Sequence, residues 1–418
     1  MKFRINKMNI LMDFYAVLII LLSGTVFASV ESMTAIYNCF LAIFIAVNLI
    51  FVIKSVFPGK YKKSFFIIVI IVIAYVALEY LISSSTASLF FTRMIILLLF
   101  LLSFPWFSKK NVDIFHHIFR IVIFLSFISI FLFVLIDIIK IQIPYTLVST
   151  GPYTHYTNYC NLLFEYSPMY TVSFGGITFQ RLQSIFWEPG AYQIFLNFAF
   201  YRLLFKENVN QKLKSKLISL LAVNIILTLS TTGIALFIVI VFLRIYYSKY
   251  FNRTSRMALI IPIFCFFAIV FSYLINIKLA NAGGKVSYSL RIADIVQGWE
   301  LFTRHPLFGV GFNNQEAFMQ IQKMDRGSSN GVITFLFSMG LVGSIIFIIP
   351  FIHNYIRMNR ENRNSQIVFI IWFLVVNLTE PIITTPFFWL IFAYEIYTMV
   401  SRGMRNERDF KKIETARG

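Results

Sequence analysis

Apolar residues run through this chain in blocks of about twenty, the length that crosses the hydrocarbon core of a bilayer. The blocks fall near 10–30, 35–57, 64–82, 88–108, 114–139, 190–205, 215–231, 233–248, 257–277, 328–351, 366–379 and 387–401. The polar positions between them then test the reading, because connections on the cytoplasmic side collect Lys and Arg. With Lys2, Arg4 and Lys7 inside, every second connection is basic. These are Lys54 to Lys63, Lys109 with Lys110, Lys206 to Lys216, Arg244 to Arg256, Arg357 to Arg363, and the tail from Arg402. The short connections between them, such as 31–34 and 83–87, carry neither Lys nor Arg. The pattern predicts an all-α fold, a polytopic membrane helical bundle of about twelve transmembrane helices with both termini cytoplasmic. It reads as a single integral membrane domain over residues 1–418.

Two connections break the run of short turns. Residues 140–190 and 278–327 are each about fifty residues long, and the alternation puts both outside. Connections of that length are uncommon unless they carry function. The two halves show no internal repeat, which argues against many transporter folds.

Composition agrees with a membrane solvent. The 418 residues are 58% hydrophobic and only 13% charged, with a mean hydropathy of +0.76. A soluble domain carries roughly 25% charged residues. The net charge of +19 would suggest a nucleic-acid partner in a soluble protein. Here the basic residues follow topology and no nucleic-acid motif accompanies them, so that partner is excluded. Cys39 and Cys265 lie in apolar blocks and Cys160 in a loop, which is neither a disulfide framework nor a metal cluster. The first apolar block is long enough to remain a helix, and no cleavable signal is evident.

Candidate chemistry gathers in the two long connections. The first ends in Arg181-Leu-Gln-Ser-Ile-Phe-Trp187-Glu188-Pro189-Gly190 and enters a span. Pro is favoured at a first helical position, so Glu188 stands at a helix N-terminus, where the dipole favours a carboxylate. It reads either as a helix cap or as a general base beside Arg181 and Trp187. In the second connection, Leu290, Ile292, Ile295, Val296, Trp299 and Phe302 form an apolar stripe at helical spacing. Arg291, Asp294 and Gln297 share the other face. That helix reads as a surface helix with a solvated charged face, or as an amphipathic helix at the membrane boundary that offers Arg291 to an anionic headgroup. Arg304 and His305 end it before Pro306, where His305 is a turn residue or a ligand. The Gly309-Val-Gly311 run lacks the strand and helix of a nucleotide loop and reads as a tight turn. Ser328-Ser329-Asn330-Gly331 opens the next span, with Gly340 and Gly343 along it. Leu378-Thr379-Glu380-Pro381 repeats the Glu-Pro arrangement at an outside helix end. The sequence holds no HExxH pattern or other metal constellation.

On Arg181 to Gly190, on Arg291 to Gly311, and on the small-residue-rich span that follows, the chain resembles the O-antigen polymerase (Wzy) and O-antigen ligase superfamily of bacterial polysaccharide enzymes. Family ligases carry a His at the start of the span after the second loop, then Asn, Ser or Gln, then nine residues, a Gly, two more and a small residue. Ser329-Asn330, Gly340 and Gly343 fit that spacing with Ser329 in place of the His, which points to polymerase over ligase. The resemblance implies transfer between lipid-linked sugars at the periplasmic face of the inner membrane, with both long connections as periplasmic loops and no metal or cofactor. Donor and acceptor would be undecaprenyl-pyrophosphate-linked oligosaccharides, and a functional link to a polysaccharide chain-length regulator is expected. Glu188, Arg291 and His305 are the catalytic candidates. Arg181, Trp187, Asp294, Arg304, Asn330 and Glu380 are the substrate-binding candidates. A lipid-linked oligosaccharide flippase, the alternative from another class, calls for charges in a central cavity and short outside loops, and this chain shows the reverse.

Overall fold

A computed structural model describes residues 7–56, 63–82, 87–149, 155–167, 171–174, 177–248, 282–311, 314–322, 328–380 and 385–415, with a few single residues between these stretches. The described chain is mostly helical. Three helical stretches, Glu31–Ser55, Ile114–Ile138 and Gly331–Ile356, are long and apolar enough to cross a membrane. Shorter apolar helices cover Phe65–Leu81, Met94–Lys109 and Thr231–Tyr246. The block expected at 257–277 lies outside the described residues, apart from a few single positions. The chain divides into two compact units: Met1–Leu41 with Asp113–Leu290 and Asn364–Glu380, and Ala42–Val112 with Arg291–Arg363 and Pro381–Gly418.

The first unit is built around α7 (Pro189–Phe205), whose side chains are buried from Pro189 to Leu203. Against it pack α6 (Ile114–Phe133), α8 (Gln211–Leu227) and α9 (Thr231–Tyr246), while α1 (Lys7–Leu21) packs on α6. The approach of α7 to α9 is close because Gly233 leaves room for the Gln193 side chain. Asn197 then spans the contact, donating to the carbonyls of Gln193 and Gly233 at 3.0 and 3.1 Å. At the far end of α7 the buried Arg202 bonds Asp113 at 2.6 Å and Glu207 at 2.7 Å. His116 meets Glu207 as well, at 2.6 Å. Burial would raise the Glu207 carboxyl, but its bonds to His116 and Arg202 outweigh burial and hold it below the usual range.

Two expectations change in this unit. The first apolar block is not one helix. It ends at Leu21, turns at Ser23-Gly24, and resumes as the four-residue α2 (Val26–Ser29). The first long connection adds strand to the all-α reading. Its strands β1 (Thr146–Ser149), β2 (His155–Tyr159) and β3 (Leu163–Ser167) form an antiparallel sheet in that order, and β4 (Thr171–Phe174) pairs with β5 (Ile177–Gln180). The β2–β3 turn places both Cys160 and Asn161 at positive φ, the geometry of a tight hairpin turn. Short, polar-interrupted strands of this kind give little signal beside apolar blocks of twenty residues.

In the second unit α3 (Thr34–Val56) contributes its later turns, and α4 (Lys63–Ile82), α5 (Ala87–Lys109) and α14 (Pro386–Thr415) pack together. The helix α12 (Gly331–Ile356) packs on α14 through Phe335, Phe347, Trp389 and Phe392. Deep in that contact Asn354 donates to the Glu395 carboxylate at 2.6 Å, which satisfies an acid that lipid alone would leave costly. The helix α10 (Ala282–Arg304) from Arg291 onward and the short α11 (Gln315–Gln322) also belong to this unit, and the chain of α13 (Arg360–Thr379) belongs to the first unit from Asn364.

Candidate functional site

Each unit holds one cluster of the candidate residues, at the N-terminus of an apolar helix. In the first unit the segment from Arg181 to Glu188 is a strap that turns at Ser184, where φ is 55°. Phe164 donates to Ser184 O and Val26 to Ile185 O, at 2.9 and 3.0 Å, and Trp187 donates to Gly24 O at 3.3 Å. The Trp187 ring lies over Gly24, which is why α1 must stop where it does. The Tyr156 hydroxyl donates to the Trp187 carbonyl at 2.7 Å. Burial, and then the nearby Glu188 carboxylate, keep that phenol protonated well above its ordinary range.

Glu188 is the N-cap residue of α7, with extended backbone, yet its side chain makes no capping bond. It accepts from the Trp187 indole N–H at 3.0 Å instead. Glu380, at the end of α13, brings a second carboxyl to the same helix end. It is buried, and a Cβ at Gly190 would overlap its Oε1. Glu188 and Glu380, far apart in sequence, thus both lie at the positive end of one helix dipole. Arg181 points elsewhere: its Nε and Nη2 donate to Thr228 O and Leu229 O at 2.9 and 3.3 Å. A guanidinium at the carbonyl end of α8 anchors the strap.

In the second unit the central fact is a break in α12. Gly340 takes φ 61° and ψ −168°, which is not helical. The break frees backbone groups that cannot be left unpaired in a membrane. The turn after α10 satisfies them: Val310 and Gly311 donate to Phe337 O and Ser338 O at 2.8 and 3.1 Å, and Leu341 and Val342 donate to Pro306 O and Leu307 O at 2.9 and 3.0 Å. The Tyr75 hydroxyl takes the Met339 carbonyl at 3.1 Å. A Cβ on Gly340 would overlap Leu307 O, and one on Gly309 would overlap Ser338 O. The Gly309-Val-Gly311 turn and the Gly340/Gly343 pair are therefore two halves of one stitched break.

The break fixes α10 against α12. Gly298 lies on Ile333 and Phe337, and Leu301 and Phe302 pack with Phe318 and Phe337. The inward face of α10 therefore includes Asp294, which is 0% exposed. Its Oδ2 accepts from Ser329 N at 2.8 Å and from Ser329 Oγ at 2.5 Å. The expected solvated charged face is corrected at this residue: Asp294 points into the protein, and Ile292, Ile295, Val296 and Trp299 of the apolar stripe point out. In a chain solvated by lipid, a buried acid needs protein partners, whereas apolar side chains do not. Arg291 is half-buried one turn before Asp294. Asn330 is the N-cap of α12, its Oδ1 accepting from Ile333 N at 3.0 Å. His305 is exposed after the last turn of α10, and the exposed Arg304 pairs with Glu300.

The sequence reading missed the approach of Glu380 to Gly190 and the bond of Asp294 with Ser329, since both join segments distant along the chain. It also missed Tyr156. The paired glycines at 309/311 and 340/343 were the available signal for the stitched break.

The fold and the two clusters thus define a helical, lipid-solvated protein with polar groups collected at two helix entries. Residues 217–348 match the model of a family described as O-antigen ligase (Wzy_C). This match supports the O-antigen polymerase and ligase superfamily, and it bears out the resemblance carried by the residues. The matched stretch holds Arg291, Asp294, Arg304, His305, Ser329 and Asn330, whereas Arg181, Trp187, Glu188 and Glu380 lie outside it. No curated protein matches the chain.

Proposed function

We propose that this chain is an O-antigen polymerase, a multi-pass inner-membrane protein of about twelve spans with cytoplasmic termini that joins undecaprenyl-pyrophosphate-linked repeat units at the periplasmic face. The observation that carries the reading is the bond of Asp294 to Ser329 at the entry of the broken helix α12, with Arg291 one turn before Asp294 on α10, inside the stretch that matches the family. A sugar on a pyrophosphate is already activated, so the transfer needs no metal, cofactor or nucleotide. Arg291 holds the pyrophosphate by charge-assisted bonds and stabilises it as it leaves. Trp187 and Glu188 offer an indole and a carboxylate to a sugar unit, and Glu380 backs the same helix end. Arg181, with two donors given to Thr228 and Leu229, supports that entry rather than the pyrophosphate.

The second reading is a ligase that moves finished polymer onto an acceptor glycolipid. The description of the matched family favours it, and Ser329 in the place of the ligase His argues against it. Deleting the gene in its host and resolving the surface glycolipid on a gel separates them. A ladder reduced to core plus one repeat unit is the expected result. Loss of every repeat unit, with lipid-linked polymer accumulating outside the inner membrane, would make the chain a ligase. Single units trapped on the cytoplasmic side would make it a flippase. In the polymerase case, Arg291→Ala abolishes polymer while the protein stays inserted and abundant.

A further inference from the structure

We infer that Ser329 and Asp294 form a proton relay that takes the proton from the acceptor sugar's hydroxyl, an assignment that rests on the sugar-transfer reading above. Ser329 is half-buried, with Asp294 buried behind it. The Oγ–Oδ2 distance of 2.5 Å is that of a strong hydroxyl–carboxylate bond. A serine hydroxyl has one proton and two lone pairs. With the proton committed to Asp294, Oγ presents only lone pairs outward. A sugar hydroxyl that docks there must donate its hydrogen.

The step balances within the pair. The acceptor oxygen forms its bond to the donor's anomeric carbon while its proton passes to Ser329 Oγ. The Ser329 proton passes to the Asp294 carboxylate. The anomeric C–O bond to the pyrophosphate breaks, and the pair of electrons leaves with the lipid pyrophosphate beside Arg291, one turn away on the same helix. The backbone bond from Ser329 N at 2.8 Å keeps the carboxylate aimed at the hydroxyl throughout. No titratable side chain faces the pair from α12 between Ser328 and Ile352. The other charged residues in the sequence of the neighbouring elements are Lys285, Arg291, Glu300 and Arg304 on α10 and Glu316 on α11.

The test uses the full chain in proteoliposomes with a synthetic undecaprenyl-pyrophosphate-linked repeat unit as donor and acceptor, and initial rates across pH. Ser329→Ala is expected to lower kcat by about 100-fold or more, the size of a lost proton transfer, with KM held within about threefold. Because Ala keeps the backbone bond to Asp294, the variant also keeps its melting temperature. Ser329→Thr restores the rate to within about tenfold. In the wild type the rate falls on the acid side as Asp294 is protonated, and Asp294→Asn removes that limb along with the rate. A wild-type kcat in Ser329→Ala, or an unchanged acid limb in Asp294→Asn, overturns the relay and leaves the polymerase reading standing. A wild-type protein inert toward lipid-linked repeat units overturns the polymerase reading and the relay with it.

Discussion

The helices α7 and α12 both begin at a capping residue on an apolar helix, and the two starts are built in opposite ways. At α12 the cap is used: Asn330 Oδ1 binds Ile333 N, its carbonyl takes the Thr334 hydroxyl at 2.7 Å, and the acid comes from another helix through Ser329. At α7 the cap residue makes no capping bond, and its carboxyl is turned to Trp187 while a second carboxyl arrives at Gly190. A side chain occupied by its own helix end is bound to a structural task. Glu188, at the start of α7, serves instead to accept from the Trp187 indole. The proposed roles follow this difference: Asn330 as part of the frame, Glu188 as a group facing the sugar.

The frame at α12 is where a single change has the largest effect. At Gly340, Val would take a left-handed φ, at about 1–3 kcal/mol, and press its Cβ into the Leu307 carbonyl. Overpacking adds about 1–3 kcal/mol. Gly340→Val is therefore expected to lose about 2–6 kcal/mol of stability in detergent, read from the melting temperature. A melting temperature equal to wild type would mean that the stitched break is not a feature of the folded protein. No such backbone constraint is found at the start of α7, so Gly190→Ala acts instead by pushing Glu380 aside. Its signature is lost sugar transfer with little loss of stability.

A smaller effect separates the sheet above α7 from the helix entry it supports. Glu165 on β3 is buried, and burial, then the Asp137 carboxylate, raise its carboxyl to about 8 from an ordinary 4.5. A folded pKa above the unfolded one means that the folded state keeps a proton that the unfolded state releases. Stability is therefore full below about 4.5, falls as pH rises toward about 8, and levels off above it. The expected loss is roughly 2 kcal/mol after allowance for solvent around the pair. Glu165→Gln flattens the melting temperature between those limits. A slope that survives in the Gln variant would place the titrating group elsewhere.

The contrast also explains what could be read before folding. The apolar blocks predict the helices because twenty-residue apolar runs have one stable solution in lipid. Of the blocks within the described residues, the first ends its helix at Leu21 and turns at Ser23-Gly24, and the block at 328–351 breaks at Gly340, where the turn after α10 packs against it. The strap, the two Glu-Pro motifs and the Gly pairs were visible as unusual residues. Their meaning was not, because Glu380 at Gly190 and Asp294 with Ser329 are contacts across long stretches of chain. Asp294 shows the reason most sharply. A helical wheel places it on a polar face, and in water that face would be solvated. Here the polar face turns inward to find Ser329, and only the packing of Gly298 on Ile333 reveals it.

The finest test exchanges the two caps. Asn330→Ala removes the side-chain acceptor of the Ile333 N–H at α12 and is expected to cost about 1 kcal/mol of stability, the ordinary worth of an N-cap. Glu188→Gln removes a charge but no capping bond, so its stability stays within about 0.5 kcal/mol of wild type, the range of a change without structural consequence. Its effect falls on sugar transfer, where loss of the carboxylate lowers the rate by about tenfold, equivalent to about 1.4 kcal/mol in the barrier. Measuring melting and transfer for both variants gives the crossed result that the geometry requires. If Glu188→Gln instead destabilised like Asn330→Ala and transferred normally, Glu188 would be an ordinary helix cap, and the working carboxyl at the start of α7 would have to be Glu380 from α13.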